Sequence, residues 1–372
     1  MKIKLKISLE YLYYYVLILL LLNNWWGDLR VFRNIYLFVK PLLLCITLLL
    51  ILALFCIKEY KLIELSIIIT LVTAGMYTSY LTDSKWTLYC MILIAFSRKI
   101  NIRQTIKIIY NCMSIFIIIS VTIFLFQYFF LPSTLTLHED YTSVIKYSMT
   151  FIGANEAARY WIYWFALYLY LNSGKPIAFF KKMLLTIITV FFYACTYSDA
   201  LLLILIMAFL KLMEHKENFK KLVTKYAGYI FSIVWIFSLI ILKFEDSFLY
   251  NILNKFTTGR LRLGITGFKI YNVSILGQQA LEFGFWITNT SIRLVLDNAY
   301  YMIMIQYGIF YLILISFLFI KANKMLDYKS SCCLIMYSIF ALAENNILSP
   351  TAIFPVLIAA NLCWTYRKSN LI

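Results

Sequence analysis

The sequence predicts an all-α, polytopic integral membrane protein, and three observations lead to this fold class. Of its 372 residues, 63% are hydrophobic and only 14% are charged, so a soluble core could not bury its apolar surface. The apolar residues form continuous runs of about 15 to 25 residues, which is the length that a helix needs to cross a bilayer. Strands of a membrane barrel would instead alternate apolar and polar residues over shorter segments.

These runs predict about 12 transmembrane helices within a single membrane domain that covers residues 1–372. The fourth, seventh and eighth runs are short for a straight crossing, and the seventh and eighth can also be interpreted as one bent pair around residues 196–199. The predicted spans lie near residues 6–22, 41–57, 62–81, 85–97, 105–131, 148–171, 183–197, 199–212, 222–243, 297–320, 331–348 and 350–366.

Lys and Arg residues concentrate in alternate loops, and 22 of the 34 fall on the side that carries both ends of the chain. Because positively charged loops are retained in the cytoplasm, we expect both termini to be cytoplasmic. Retention of basic residues beside the lipid bilayer also explains the net charge of +17, so nucleic acid is not expected as a partner.

Residues 244–296 contain no apolar run of membrane length and are predicted to form one long external loop between the ninth and tenth spans. Arg260 follows Gly259, whose flexibility lets the backbone approach a ligand closely. Guanidinium groups pair well with phosphate oxygens, so Arg260 and Arg262 are candidates for phosphate binding. The plain alternative is that they are solvated or contact lipid headgroups. The apolar pattern of residues 261–271 indicates a helix at the membrane interface.

Polar residues in four predicted spans fall at one depth, near the outer face of the bilayer, where each needs a reason to be present. We interpret their convergence beneath the arginine-bearing loop as a candidate site. They are Asn155, Glu156 and Arg159 in the sixth span, Ser198 and Asp199 at the turn between the seventh and eighth, Asp297 and Asn298 at the start of the tenth, and Glu344, Asn345 and Asn346 in the eleventh.

Three of these four groups also have a structural explanation, which for the turn between the seventh and eighth spans is simple exposure to solvent. Asp297 and Asn298 could cap the start of a helix, and Glu156 could pair with Arg159, which lies three residues further along the same helix face. Glu344 has no such role inside a helix, so it is the first candidate for a catalytic base and Asp297 is the second. No convergent set of metal ligands is recognisable, so neither a metal nor a cofactor is expected.

Several short motifs occur in a particular order along the chain: Gly153-Ala154-Asn155-Glu156, Thr196-Tyr197-Ser198, Thr258-Gly259-Arg260, Ile275-Leu276-Gly277-Gln278, Asp297-Asn298-Ala299-Tyr300, Gln306-Tyr307-Gly308-Ile309 and finally Glu344. In order and topology, residues 147–350 resemble the bacterial O-antigen and capsular polysaccharide polymerases of the Wzy type. The chain departs from that family at Ala154-Asn155, where His-Pro-Asn is frequent, and at Ser198-Asp199, where Ser-Arg is frequent. An arginine role at the second position therefore cannot be carried over.

The resemblance implies a metal-independent glycosyltransferase of the bacterial cytoplasmic (inner) membrane. Such proteins move a growing glycan from undecaprenyl pyrophosphate onto the next lipid-linked oligosaccharide repeat unit, and the family implies a chain-length regulator as a further partner. Arg260 and Arg262 would then stabilise the pyrophosphate leaving group, and Glu344 or Asp297 would accept the proton of the acceptor hydroxyl. The remaining candidates for binding the substrate or its pyrophosphate are Arg159, Asn155, Glu156, Asn298 and Asn345.

Two other functions fit parts of the pattern. A flippase or another transporter of lipid-linked oligosaccharides would need a polar cavity that reaches the midplane, whereas the polar residues here cluster at the outer face. An O-antigen ligase shares the long loop and the glycan donor. Ligases of this kind typically carry a histidine in that loop, and residues 244–296 contain none.

Overall fold

A computed structural model describes the chain as a largely helical protein, which confirms the predicted all-α class in its coarse form. Five of the described helices are long and apolar enough to cross a membrane, and three shorter ones are also apolar. These helices support a helical membrane protein. The described residues are 9–30, 33–56, 60–98, 100–135, 137–139, 145–245, 247–256, 259–278, 296 and 298–369.

Helices account for most of the described residues, and they are numbered in chain order. They are α1 (Leu9–Asp28), α2 (Arg33–Cys56), α3 (Leu62–Thr82), α4 (Trp86–Phe96), α5 (Ile102–Phe130), α6 (Ala154–Leu171), α7 (Phe179–Thr196), α8 (Leu203–Met213), α9 (Glu217–Leu242), α10 (Phe248–Phe256), α11 (Arg260–Ile270), α12 (Ala299–Met302), α13 (Ile309–Ala322), α14 (Tyr328–Ala343) and α15 (Phe354–Ser369). One short hairpin pairs β1 (Leu137–Glu139) with β2 (Ile145–Tyr147) in antiparallel register. The chain divides into unit 1, Met1–Tyr60 with Lys99–Leu212, and unit 2, Lys61–Arg98 with Met213–Ile372.

Unit 1 is organised around α1, α5 and α6. Helix α1 packs on α2 and α5, α6 packs on α5 and α7, and α7 also contacts β2. Large aromatic rings fill the contacts between these helices, with Trp25 stacked on Phe116 at 4.4 Å between ring centroids. A single β-bridge joins Leu29, just after α1, to Phe151, just before α6. This bridge brings the end of α1 to the start of α6.

Unit 2 is organised around α9, α13 and α14. Helix α9 packs on both α13 and α14, and α15 covers α13, α14 and α4. The ring of Phe231 on α9 lies 5.4 Å from that of Phe319 on α13 and 6.0 Å from that of Tyr337 on α14. Burial of such rings supplies a large apolar contact area, so these three helices form the core of the unit.

The tenth predicted span, residues 297–320, is largely helical where it is described, but the helix is interrupted. Helix α12 is followed by a π-helical turn, Ile303–Tyr307, and the helix breaks at Gly308 before α13 begins. Gly308 has a φ of +104°, which side-chain-bearing residues rarely adopt. A residue with such a backbone conformation ends the helical ladder even though the surrounding run is apolar.

The eleventh span is also shorter than predicted, because α14 ends at Ala343 and Glu344 has extended backbone angles. The prediction that Glu344 lies inside a helix is therefore wrong. The sequence from Asn345 onward contains poor helix formers, and Pro350 disfavours helical angles at the residue before it. The chain resumes helical structure only at Phe354, in α15.

Residues 244–296 contain two helices, α10 and α11, among the described residues. The helix predicted from the pattern of residues 261–271 is therefore confirmed, whereas its position at a membrane interface stays a prediction. The sixth predicted span begins later than expected, at Ala154 rather than residue 148, because Met149 and Thr150 both have positive φ.

Candidate functional site

The predicted site residues fall in both units, and each group is described within its own unit. Arg260, Arg262, Asn298, Glu344 and Asn345 belong to unit 2. Asn155, Glu156 and Arg159 belong to unit 1. Asp297, the second candidate for the base, lies outside the described residues.

In unit 2, the two candidate arginines occupy the first turn of α11. That turn contains no acidic residue, and its N-cap, Gly259, provides no side-chain cap. Arg262 is exposed, whereas Arg260 is partly buried. Two cations at the positive end of a helix dipole repel that end and attract an anion. This turn is therefore the part of unit 2 best suited to a negatively charged ligand.

Helix α10 fixes the backbone that carries these arginines. The side-chain oxygen of Asn254 accepts a hydrogen bond from the backbone N–H of Arg262 at 3.1 Å, and its carbonyl accepts one from Gly259 at 2.8 Å. Burial raises the pKa of Tyr250 on α10, Glu245 raises it as well, and Arg262 lowers it. Arg262 is thus close enough to this phenol to stabilise its charged form.

Helix α11 is held against the start of the broken helix by two close approaches. A Cβ added to Gly264 would collide with the ring of Tyr301, so the absence of a side chain permits this contact. A Cβ added to Gly267 would meet Leu296 at 3.3 Å and Ile305 at 3.1 Å. The hydroxyl of Tyr301 in turn donates to the carbonyl of Ser238 on α9 at 2.7 Å. The arginine-bearing helix α11 is therefore packed within unit 2, against the start of the broken helix.

The break at Gly308 packs against a non-helical segment, residues 272–278, which follows α11. Its backbone supplies partners that the broken helix lacks: Ser274 N–H donates to Met304 O at 3.1 Å, and Ile309 N–H donates to Ser274 O at 2.9 Å. The side chain of Gln278 donates to Ile305 O at 2.8 Å. Two motifs that are about 30 residues apart in the sequence are thereby joined, and buried backbone groups stay satisfied.

Glu344 begins a buried non-helical segment, residues 344–353, that connects α14 to α15. Glu344 is 3% exposed and Asn346 is 7% exposed. The amide of Asn345 donates to the carbonyl of Leu296 at 3.2 Å, and the hydroxyl of Tyr337 donates to the carbonyl of Ile347 at 3.0 Å. Because Leu296 also contacts α11 at Gly267, one residue links the Glu344 segment to the arginine-bearing helix.

Asn298 caps the start of α12, which is the structural role considered for it above. The cap uses only the oxygen of its side-chain amide. The side-chain oxygen accepts from the backbone N–H groups of Tyr300 and Tyr301 at 3.0 and 3.4 Å. The side chain is 1% exposed, and its Nδ2 has no hydrogen-bond partner among the described residues. Two backbone donors fix which end of the amide is the oxygen, so a buried N–H2 group remains that can donate to a ligand.

In unit 1, the predicted pair of Glu156 and Arg159 is confirmed. Their charged atoms are 3.8 Å apart, and Arg159 is 3% exposed. Both lie at the start of α6, where Asn155 is partly exposed. The carboxylate of Glu156 also folds back over Gly153, occupying the space that a Cβ there would need.

The structure adds three residues to this pair that the sequence interpretation missed. Asp28, the last residue of α1, accepts hydrogen bonds from Tyr160 at 2.9 Å and from Asn24 at 3.1 Å. Asn24 also donates to the hydroxyl of Tyr160 at 3.2 Å. The spacing of Asn24 and Asp28, four residues apart on α1, was the available signal. The predicted first span ends at residue 22, so Asn24 and Asp28 lie beyond it and no role was predicted for them.

Burial raises the pKa of the Asp28 carboxyl to about 6, even though the residue as a whole retains some exposure. Arg159 lowers this pKa, Glu156 raises it, and the hydrogen bonds from Tyr160 and Asn24 lower it. Asp28 lies beyond the apolar part of α1 and outside the five candidate spans. The carboxyl is therefore poised to exchange a proton near neutral pH.

The described residues contain no group of three or more His, Cys, Asp or Glu side chains that could hold a metal ion. Comparison of the chain with protein-family models, with curated proteins and with solved structures gives no match.

Proposed function

We propose that this protein is a metal-independent glycosyltransferase that polymerises lipid-linked oligosaccharide repeat units, as in O-antigen or capsule synthesis. It would act in the bacterial cytoplasmic membrane, with about 12 crossings, both termini in the cytoplasm and residues 244–296 on the external side. The growing glycan would pass from undecaprenyl pyrophosphate to an incoming repeat unit. The lipid bilayer and a chain-length regulator are the proposed further partners.

The observation that carries this proposal is the buried polar segment that begins at Glu344. Irregular backbone at membrane depth persists only where protein buries it or where it lines a cavity. In unit 2 this segment is linked through Leu296 to the helix that bears Arg260 and Arg262. A buried carboxylate, a buried amide donor and an arginine-rich helix end are thus assembled in one unit.

These groups match the needs of glycosyl transfer. The acceptor hydroxyl oxygen attacks the anomeric carbon of the growing glycan, and the bond from that carbon to the pyrophosphate oxygen breaks. Glu344 would take the hydroxyl proton as general base. Arg260 and Arg262 would stabilise the charge of the departing pyrophosphate. Asn298 and Asn345 would position substrate oxygens by hydrogen bonds.

A flippase for lipid-linked oligosaccharides is the second candidate, because one observation favours it. Transporters often build their sites from broken membrane helices, and the helix break at Gly308, with its π-helical turn, is such a feature. The cationic turn of α11 would then guide the pyrophosphate of the cargo. The same residues would bind, but no glycosidic bond would form.

The test is the ladder of surface glycan chains, resolved by gel, from cells that lack the gene and from cells given the wild type or Arg260→Ala. A polymerase predicts a single repeat unit in the deletion strain, a full ladder with the wild type, and a strongly reduced ladder with membrane-expressed Arg260→Ala. Repeat units trapped inside the cell would favour the flippase. Long glycan left on its lipid carrier would favour a ligase. An unchanged ladder in the deletion strain would refute all three.

A further inference from the structure

A second polar cluster, in unit 1, gathers where α1 ends and α6 begins. It consists of Asp28, Asn24, Tyr160, Arg159 and Glu156, and we call it the α1–α6 cluster. Its side chains are joined by hydrogen bonds: one carboxylate oxygen of Asp28 accepts from both Tyr160 and Asn24. The backbone supports it as well, since Ile152 N–H donates to the carbonyl of Asp28 at 2.9 Å.

The charge of the α1–α6 cluster distinguishes it from the arginine-bearing turn of unit 2. The charged groups that act on the Asp28 carboxyl are Arg159, which attracts its negative charge, and Glu156, which repels it. Two carboxylates against one guanidinium disfavour the approach of a pyrophosphate, because like charges in a partly buried site repel strongly. The assignment of Arg159 and Glu156 to pyrophosphate binding is therefore physically weak.

Three buried hydrogen-bond donors belong to residues that are near the cluster in sequence. The indole nitrogens of Trp25 and Trp26 and the hydroxyl of Thr150 have no hydrogen-bond partner among the described residues. Trp25 and Trp26 precede Asp28 on α1, and the Thr150 carbonyl accepts from Arg30 N–H at 2.9 Å. Buried donors without acceptors are costly, so a ligand oxygen that accepted from them would bind favourably.

The backbone at Thr150 is also held in an unfavourable conformation. Thr150 is β-branched and has a φ of +74°, and its neighbour Met149 has a φ of +49°. Such angles are unfavourable for residues with a Cβ and persist where the surrounding structure demands them. Here they keep residues 150–152 hydrogen-bonded to residues 28–30 beside the Asp28 carboxylate.

We propose that the α1–α6 cluster binds the hydroxyl groups of a neutral or amino sugar, as a glycan-binding site of unit 1. Carboxylates and amides pair with sugar hydroxyls, which both donate and accept hydrogen bonds. The indole ring of Trp26, which is partly exposed, offers a face for the apolar side of a sugar. Asp28 and Glu156 are partly exposed, so a ligand can reach the carboxylates. This inference rests on the proposed function, since it names the chemical class of ligand that unit 1 binds.

The test measures binding to the purified full-length protein in lipid nanodiscs by tryptophan fluorescence. The probes are oligosaccharide fragments released by mild acid from the surface glycan of the source strain and, separately, sodium pyrophosphate. We expect Asp28→Asn to weaken fragment binding about tenfold or more and to leave pyrophosphate binding unchanged. Tyr160→Phe and Trp26→Phe should weaken it by smaller factors. Glu217→Gln, at an exposed carboxylate, is the matched control.

The outcomes separate this subsite from the proposed function. Wild-type fragment binding that Asp28→Asn does not weaken overturns the subsite, and so does a wild type that binds no fragment. If the wild type binds fragments through Asp28 but deletion of the gene leaves the glycan ladder unchanged, the subsite stands and the polymerase is overturned. If Asp28→Asn does not fold, as judged by its thermal unfolding, the other two variants decide the question: normal fragment binding in both overturns the subsite.

Discussion

The two units accommodate polar groups in an apolar protein in different ways. In unit 1, Asp28, Tyr160 and Asn24 belong to regular helices and their side chains bond to one another. In unit 2, the backbone itself departs from helical structure, at Gly308 and at Glu344. Paired side chains can be added to a helix without changing its path. A broken helix exposes backbone groups that need partners elsewhere, so its position is dictated by the whole unit.

This contrast predicts that unit 2 is the more sensitive of the two to backbone changes, and Gly308→Ala should have the largest effect. The added Cβ would collide with the carbonyl of Ile275 and lie 2.6 Å from Gly277 N, in addition to straining φ. We expect a loss of about 3 kcal/mol or more in unfolding free energy, with little folded protein recovered. Thermal unfolding of the detergent-purified protein, followed by size-exclusion chromatography, measures this.

Gly174→Ala is the matched control for that prediction. Gly174 also has a positive φ, of +77°, but a Cβ there would have nothing within 4 Å. Only the strain in φ remains, which costs about 1 kcal/mol. Equal losses for the two variants would mean that contact with residues 275–277 does not hold the break.

Asn298 has two roles that different substitutions can separate: its side-chain oxygen caps α12, and its Nδ2 is a hydrogen-bond donor for a ligand. Asn298→Asp keeps an oxygen for the N–H groups of Tyr300 and Tyr301 but removes the Nδ2 donor, whereas Asn298→Ala removes both. We expect Asn298→Ala to lose about 1 kcal/mol of stability and Asn298→Asp to lose little. Both should shorten the glycan ladder. A full ladder from Asn298→Asp would show that the amide only caps the helix.

The smallest predicted effect is a pH-dependent change in stability that comes from the Asp28 side chain of unit 1. The folded-state pKa of Asp28, about 6, lies above the ordinary value of 3.8, so folding takes up a proton between these values. The stabilisation is complete below pH 4 and is lost as the pH rises through 6. The melting temperature of the wild type should therefore fall between pH 5 and pH 7 relative to that of Asp28→Asn. Parallel curves for the two proteins would contradict the assignment.

The sequence was a good guide wherever hydropathy decides structure. Long apolar runs became helices such as α5 and α9, and the amphipathic pattern after Gly259 became α11. The pairing of Glu156 with Arg159 followed from helical spacing alone. These features depend on neighbours in the chain, which is why composition and periodicity predict them.

The sequence was a poor guide where distant segments decide structure. The break at Gly308 lies in an apolar run and depends on hydrogen bonds to residues 272–278. Glu344 lies just after α14, and the neighbouring Asn345 donates to the carbonyl of Leu296, which precedes it by 49 residues. Asp28 was missed for a related reason, since its partner Tyr160 follows it by 132 residues. No local pattern contains such information.

The most direct test of the central claim, that the buried segment of unit 2 carries the chemistry, is the glycan ladder of deletion cells complemented with Glu344→Gln. This variant keeps the size of the side chain and removes its capacity to take a proton, and Glu217→Gln at an exposed position is the control. At equal amounts in the membrane, we predict a single repeat unit for Glu344→Gln and a full ladder for Glu217→Gln. A full ladder from Glu344→Gln would contradict the account.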